Sequence, residues 1–294
     1  MKMKHTFSMI AILSLYYSCS DPDSWAVEKQ EVALSVAQVG FSLISEDDST
    51  SKAYFEEGEQ IGLYIDGEQG LSYKGMTYKN KTWALQTPVL LSESYTDIYA
   101  TFPYNPENNV ATSFEIEHTS QTDYLYSFRH SVNSSDPVLL LIMMHALALI
   151  EFEFQWTDVS QATNLNFISI QGQNLYSKAK LDLLTGKMEH LKGWNDAAII
   201  YGWQLDSDHL YDGAKASLMV VPVDRTEYDG DIMIDFYTDN LKAHWPVPAG
   251  TKWERGKKYT YKVLIQEHLL EIVDVRIEDW IDQGTDRINL PWYE

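Results

Sequence analysis

The stretch Leu147-Ala-Leu-Ile-Glu-Phe-Glu-Phe154 decides the fold class of this chain. Its second half alternates acidic and aromatic residues, which is the period of a β-strand with two different faces. We expect Phe152 and Phe154 to face a core, and Glu151 and Glu153 to face water.

Similar segments occur along nearly the whole chain after residue 30, rich in Tyr, Phe, Trp, Val and Ile and separated by Gly, Asn, Asp or Pro. Further strands are predicted over residues 60–65, 96–102, 164–171, 216–221, 232–237, 258–266 and 269–277. Asp66-Gly67 predicts a hairpin turn, and a change of phase after Ile272 indicates a bulge. No long stretch has a helical apolar period, so we expect an all-β sandwich or barrel.

One polar segment, Ser131-Val-Asn-Ser-Ser-Asp-Pro137, lies between strong strands and has the composition of a linker. It predicts a boundary between an N-terminal β-sandwich domain over residues 19–135 and a C-terminal one over residues 136–294. Each part is long enough to bury a core of its own.

The N-terminus has the layout of a secretory signal peptide over residues 1–18: a basic start, an apolar run and the small residue Ser18. Cys19 follows directly, which is typical of a lipoprotein that is cleaved between Ser18 and Cys19 and carries a lipid on the thiol. The alternative is an ordinary signal peptide with a cysteine there by chance, since Leu15 lies one position further out than usual.

The charge and the apolar runs limit the partners. The formal charge is −21, and 20 basic residues face 43 acidic ones once the signal peptide is removed. Such a chain repels nucleic acid and anionic lipid. The longest apolar run, Val138–Ile150, is shorter than the roughly 20 residues of a spanning helix. We therefore expect the lipid on Cys19 to be the one attachment to a membrane.

A search for catalytic chemistry gives no candidate. The chain has no Ser elbow, phosphate-binding loop, H-E-x-x-H helix or C-x-x-C pair, and its single cysteine, Cys19, belongs to the signal region. His145 lies in an apolar strand, where a buried histidine with one satisfied ring nitrogen is expected. The sequence predicts no enzyme, no metal site and no cofactor other than the covalent lipid.

Seven short motifs resemble those of the fimbrillin family of Bacteroides-type bacteria. In chain order they are Phe55–Ile65 with its Ile-Gly strand, Trp83 after a Tyr/Asn stretch, Tyr99–Tyr104, Met144–Phe152 with His-Ala-Leu, Val220–Pro222, Gly256–Val263 with Gly-Lys-x-Tyr-x-Tyr-x-Val, and Ile277–Trp280. Their order matches the family's from about residue 53 to residue 280.

The resemblance implies two transthyretin-like β-sandwich domains in tandem and a lipoprotein precursor. Members are stalk, tip or anchor subunits of fimbriae or related surface proteins, so other fimbrial subunits, the outer membrane and a host or bacterial surface ligand are the expected partners. In polymerising members a protease removes the N-terminal strand after an Arg. A C-terminal strand of the next subunit then fills the groove by β-augmentation.

The chain departs from that pattern before its expected N-terminal strand, about residues 31–43. The first Arg is Arg129, and Lys29 and Lys52 are the basic residues in reach after Cys19. Either a Lys-tolerant protease acts there, or the strand stays with its lipid anchor; we favour retention, because two or more acyl chains anchor stably.

The C-terminal segment and two tryptophans each allow two interpretations. Ile288, Leu290 and Trp292 alternate and predict a donor strand or an edge strand of the second domain. Trp194 and Trp203 lie in a Gly- and Asp-containing region and would stack on a sugar ring if exposed, whereas packing within the protein is the commoner role. We expect a non-catalytic fimbrillin-type surface lipoprotein that serves adhesion; the alternative is a lipid-anchored glycan-binding protein.

Overall fold

The computed structural model describes residues 31–41, 55–156, 165–191, 198–201, 213–239, 242–266 and 269–280, and all regular structure in them is β-strand. The strands are β1 Val32–Ala33, β2 Ser35–Phe41, β3 Gln60–Gly67, β4 Gly70–Lys79, β5 Thr82–Leu85, β6 Leu90–Leu91, β7 Thr96–Phe102, β8 Phe114–Glu117, β9 Leu125–Ser127, β10 His130–Val132, β11 Val138–His145, β12 Ala148–Trp156, β13 Leu165–Gly172, β14 Lys178–Leu181, β15 Met188–Leu191, β16 Ala198–Tyr201, β17 Lys215–Val220, β18 Ile232–Thr238, β19 Lys242–Pro246, β20 Lys257–Gln266 and β21 Leu269–Asp279. The all-β class predicted from the sequence is confirmed.

The first half of the chain forms one large sheet in the order β2-β11-β9-β7-β3-β4-β5, with β10 on β7 and a separate β1-β6 pair. Its core includes Ile61, Leu63 and Ile98 from the central strands and Leu139 and Leu141 from β11, all essentially inaccessible to solvent. The alternation of β11 explains this burial, because every second side chain points into the core.

The second half is a β-sandwich of two four-stranded sheets, β17-β12-β20-β21 and β16-β13-β18-β19. Phe152 and Phe154 of β12 meet Phe236 of β18 in the core between them, and Phe152 and Phe236 pack edge to face with centroids 5.2 Å apart. Tyr259, Tyr261, Val263 and Ile265 share the buried face of β20, as their alternation predicts.

A separate three-stranded sheet, in the order β15-β14-β8, joins the two halves. β8 of the first half pairs with β14 of the second, so that Phe114 lies opposite Leu181 and Ile116 opposite Ala179, all four buried. The same apolar cluster includes Trp280, so backbone hydrogen bonds and a shared core both hold the halves together. The number of tandem domains therefore stays a prediction.

The segment 131–137 has a different role from the linker expected. It joins β10 to β11, and β11 pairs with β9 and β2, so the segment is a turn within the first sheet. Its polar composition has a local cause, because Oδ1 of Asn133 accepts hydrogen bonds from the backbone N–H groups of Ser135 and Asp136. The chain leaves the first sheet only after His145.

Two local predictions were wrong and one is confirmed. β3 and β4 pair as far as Gly67 opposite Gly70, so the turn is Glu68-Gln69 and not Asp66-Gly67. Glu151 is buried rather than solvated, because Lys258 and Lys215 from the two neighbouring strands reach its carboxylate. The bulge after Ile272 is present, since the β20–β21 register skips Val273.

Candidate functional site

The candidate site is the edge of the first sheet, where the N-terminal strand β2 lies parallel to β11. Val138–Met143 pair with Ser35–Phe41, with one register shift after Leu139. The N–H of Ser35 also donates to Pro137 O at 2.8 Å, and the N–H of Leu34 to Val89 O at 2.8 Å. The pairing with β2 uses the edge of β11 that would otherwise be open to a new strand, and the Leu34 bond holds the same segment to Val89.

Apolar side chains of this N-terminal segment complete the first core. Leu34 is buried, and Val36 and Val39 are partly buried against the same cluster as Leu139 and Leu141. Each fully buried side chain of this size contributes about 1.5–3 kcal/mol relative to exposure. The segment therefore fills an apolar groove as well as a backbone edge.

The connectivity makes this strand separable from the rest of the sheet. β2 pairs with a strand about a hundred residues later in the chain, and residues 42–54 lead from it to Phe55, which is buried against Trp83. A break within residues 42–54 would cut no described strand. The sequence predicted a strand over about residues 31–43. Its parallel pairing with β11 could not be predicted, because no local sequence pattern indicates which distant strand it pairs with.

The side chains predicted to act at the N-terminus and in the aromatic region lie outside the described residues. These are the cleavage pair Ser18 and Cys19, the candidate processing residues Lys29 and Lys52, and the candidate stacking residues Trp194 and Trp203. The predicted signal peptide over residues 1–18 is likewise outside the described part.

A second surface lies on the C-terminal sandwich, where a groove of about 660 Å³ opens between β19 and β21. Trp245, Tyr259, Tyr261, Val275 and Ile277 line it. Both tyrosine hydroxyls accept hydrogen bonds from within the protein. The Tyr261 hydroxyl accepts from Trp253 Nε1 at 2.9 Å, and the Tyr259 hydroxyl accepts from the backbone N–H of Glu254 at 2.8 Å. These two hydrogen bonds fix the tyrosine hydroxyls, and the aromatic and aliphatic side chains form the apolar part of the groove.

Buried ionisable groups have structural partners. Nδ1 of His145 lies 2.8 Å from Oδ1 of Asp123, so this histidine has the satisfied ring nitrogen expected of it. Burial raises the pKa of Tyr261 to about 12 and keeps it neutral. Among the described residues, no group of three or more His, Cys, Asp or Glu side chains is arranged to hold a metal ion.

Within the same part of the chain, no helix has the length and apolar character required to cross a bilayer.

The fold and this edge define a class: an all-β protein whose N-terminal strand fills a groove at the edge of its first sheet. The family model described as fimbrillin-like matches residues 47–280. The chain belongs to the fimbrillin-like family.

Solved structures share the fold at low sequence identity. A protein of Bacteroides uniformis assigned to cell adhesion is 19% identical with a TM-score of 0.63, covering 85% of this chain and 99% of its own. A fimbrial protein of Bacteroides vulgatus is 14% identical with a TM-score of 0.62, covering 85% and 100%. The tip fimbrial protein Mfa3 of Porphyromonas gingivalis, truncated at its C-terminus, is 8% identical with a TM-score of 0.50, covering 76% and 95%. A comparison with curated proteins finds no match.

Proposed function

We propose that this protein is a non-catalytic cell-surface subunit of a fimbrium, held at the outer membrane by a lipid on Cys19. Membership of the fimbrillin-like family and the fold shared with fimbrial proteins support the subunit role. Other fimbrial subunits are its partners, and adhesion is the function that the assembled structure serves.

The observation that carries the proposal is the placement of β1 and β2. β2 occupies the backbone edge of β11 in the first sheet, β1 pairs with β6, and Leu34 between them fills the apolar groove. Along the chain, residues 42–59 connect β2 to β3. This is the arrangement that strand complementation requires, since another extended segment with alternating apolar residues would satisfy the same groups. In this chain we propose that the strand is retained with the lipid, which makes the protein an anchor or terminal subunit.

A cut-and-exchange experiment tests complementation. A specific protease site is placed within residues 42–54 of the chain that begins at Ser20, and the protein is cut after folding. We expect the N-terminal fragment to stay bound and to exchange with a labelled synthetic peptide of residues 31–43 in mild denaturant. A Leu34→Asp peptide should not exchange in, whereas the matched control Ser35→Asp should, because Ser35 is exposed.

Loss of the fragment on cutting without any change in stability would overturn the proposal, since the strand would then not complete the core. Equal exchange of the two substituted peptides would do the same.

A further inference from the structure

The groove on the C-terminal sandwich is lined by exposed side chains that belong to a core face. Val275 and Ile277 of β21 lie directly opposite Tyr261 and Tyr259 of β20, and opposite residues of an antiparallel pair share one face of the sheet. The two tyrosines are buried, whereas Val273, Val275 and Ile277 are exposed. Among the described residues, the second sheet of the sandwich therefore leaves this end of β21 uncovered.

The backbone edge of β21 lies beside these side chains. In the part of the chain that the structure describes, β21 pairs with β20 alone, so its other edge is open. From Asp274 to Asp279 the pairing with β20 is regular, because the bulge is at Val273. A regular, open edge next to exposed apolar side chains is a template for one more strand.

We propose that this edge binds the same edge of a second copy of the protein, with the two β21 strands antiparallel and a two-fold axis at Val275. The axis places Val275 opposite Val275 of the second copy, and Ile277 opposite Val273 of the second copy. These apolar side chains lie on the groove face of both strands. The interface is isologous, so each contact away from the axis occurs twice.

The charges of β21 select this register. With the axis at Val275, Arg276 lies opposite Asp274 of the second copy, so two pairs of opposite charges form across the interface. An axis at Asp274 or at Arg276 would bring two like charges face to face. An axis between two residues would place charged side chains opposite apolar ones. Charge complementarity therefore favours a second copy of the same strand, in one register, as the occupant of this edge.

The atoms that change partners are already at the surface. The N–H of Val275 donates to Oδ1 of Asp274 at 2.9 Å, and Nε of Arg276 lies 3.5 Å from Oε2 of Glu278. In the dimer the guanidinium of the second copy binds the Asp274 carboxylate, which frees the Val275 N–H for a bond between the strands. Asp274 and Arg276 are both exposed, so this exchange requires no rearrangement of the core.

The pairing joins two C-terminal sandwiches through one sheet of eight strands, four from each copy. It leaves β2 and the edge of β11 in the first sheet untouched. The inference goes beyond the subunit role proposed above and does not depend on the fate of the N-terminal strand.

A single cysteine tests the position of the axis. Cys19 is the one cysteine of the chain, so a protein that begins at Ser20 has none. Val275→Cys should form a disulfide-linked dimer on mild oxidation, because facing Cα atoms of antiparallel strands are about 4.5–5.5 Å apart, within the range of a disulfide. Ile277→Cys, on the same face, is the matched control. It should cross-link at least tenfold more slowly, because the two copies of this residue would be about 13 Å apart along the strands.

A charge exchange tests the register without any cysteine. Sedimentation equilibrium of the chain from Ser20 should show a dimer whose population rises with concentration. Arg276→Asp should weaken this dimer at least tenfold, because two pairs of carboxylates then face each other. The double exchange Arg276→Asp/Asp274→Arg should restore it, since opposite charges face each other again. Lys79→Asp, at an exposed lysine of the first half, should leave the dimer unchanged.

Each other outcome counts against the proposal. A chain that stays monomeric at every concentration would mean that no second copy binds this edge. Equal cross-linking of the two cysteine variants, or none in either, would exclude an axis at Val275. A double exchange that dimerises no better than Arg276→Asp would exclude the register. The charge variants also cover the case in which Val275→Cys does not fold, because they change exposed side chains only.

Discussion

The imidazole of His145 stacks on the indole of Trp280, with ring centroids 3.6 Å apart and planes 5° from parallel. His145 is the last residue of β11 in the first sheet, whereas Trp280 directly follows β21 of the second half. Both side chains are buried, and Asp123 holds the histidine ring through Nδ1. The stack therefore fastens the two halves at the point where residues 281–294 begin.

Removing this stack should weaken the junction between the halves. We expect Trp280→Ala to lower the free energy of unfolding by about 3–5 kcal/mol. A double-mutant cycle with His145→Ala, read from urea unfolding, should give a coupling of about 0.5–1.5 kcal/mol. Tyr95→Ala, at a side chain 71% exposed, is the matched control and should change stability by less than about 0.5 kcal/mol. Strictly additive effects would show that the rings do not interact.

The buried carboxylate of Glu151 gives a second prediction. Its oxygens lie 3.1 Å from Lys258 Nζ and 3.5 Å from Lys215 Nζ. The carboxylate also accepts a hydrogen bond from the Thr260 hydroxyl at 3.1 Å. Glu151→Gln should therefore lower the free energy of unfolding by about 3–5 kcal/mol, measured by urea unfolding, because it leaves the buried Lys258 without its counter-charge. Glu153→Gln, at a more exposed position of the same strand, should cost less than about 1 kcal/mol. Similar losses in the two variants would contradict this assignment.

A third prediction concerns two glycines that face each other in β3 and β4. A Cβ at Gly62 would lie 2.5 Å from the ring carbons of Tyr73, whereas one at Gly75 would meet only the terminal amide of Gln86, at 2.5–2.8 Å. Gly62→Ala should destabilise the protein by about 1–3 kcal/mol, since a packed ring must shift. Gly75→Ala should be close to neutral in thermal unfolding, because the end of a flexible side chain can turn away. The reverse order would refute the packing described for Tyr73.

The pKa of Tyr261, raised by burial to about 12 from an ordinary value of 10, predicts an alkaline limit on stability. The unfolded tyrosine loses its proton first, so the contribution of this group is complete below about pH 10 and is lost as the pH rises through 12. The loss amounts to about 3 kcal/mol. Urea midpoints from pH 8 to 12 should decline less steeply for Tyr261→Phe. At pH 8 the free energy of unfolding of Tyr261→Phe should be about 1–3 kcal/mol lower than that of the unsubstituted protein, because the indole N–H of Trp253 loses its acceptor. Tyr228→Phe, at a half-exposed ring, is the control, and its urea midpoint should fall with pH as steeply as that of the unsubstituted protein.

The strands were predictable from the sequence because alternation is a local signal. Phe152 and Phe154 of β12 and Tyr261, Val263 and Ile265 of β20 face the core as their alternation predicts, and even the bulge at Val273 leaves a change of phase. The turn after β3 was misplaced by two residues, since a Gly67–Gly70 pair extends the hairpin beyond the expected Asp66-Gly67.

What the sequence did not reveal are pairings between distant segments. β8 and β14 are some sixty residues apart and join the two halves, and β2 finds β11 about a hundred residues later. The burial of Glu151 has the same origin, because its partners Lys215 and Lys258 come from strands that only the topology brings together.

The measurement that tests the account most directly is mass spectrometry of the N-terminus of the protein taken from cell surfaces. The account predicts a chain that begins at an acylated Cys19 and still contains residues 31–43, because β2 remains at the edge of β11 and Leu34 remains in the first core. A chain that begins at Gln30 or Ala53, after Lys29 or Lys52, would contradict it and would make the protein a processed, polymerising subunit instead.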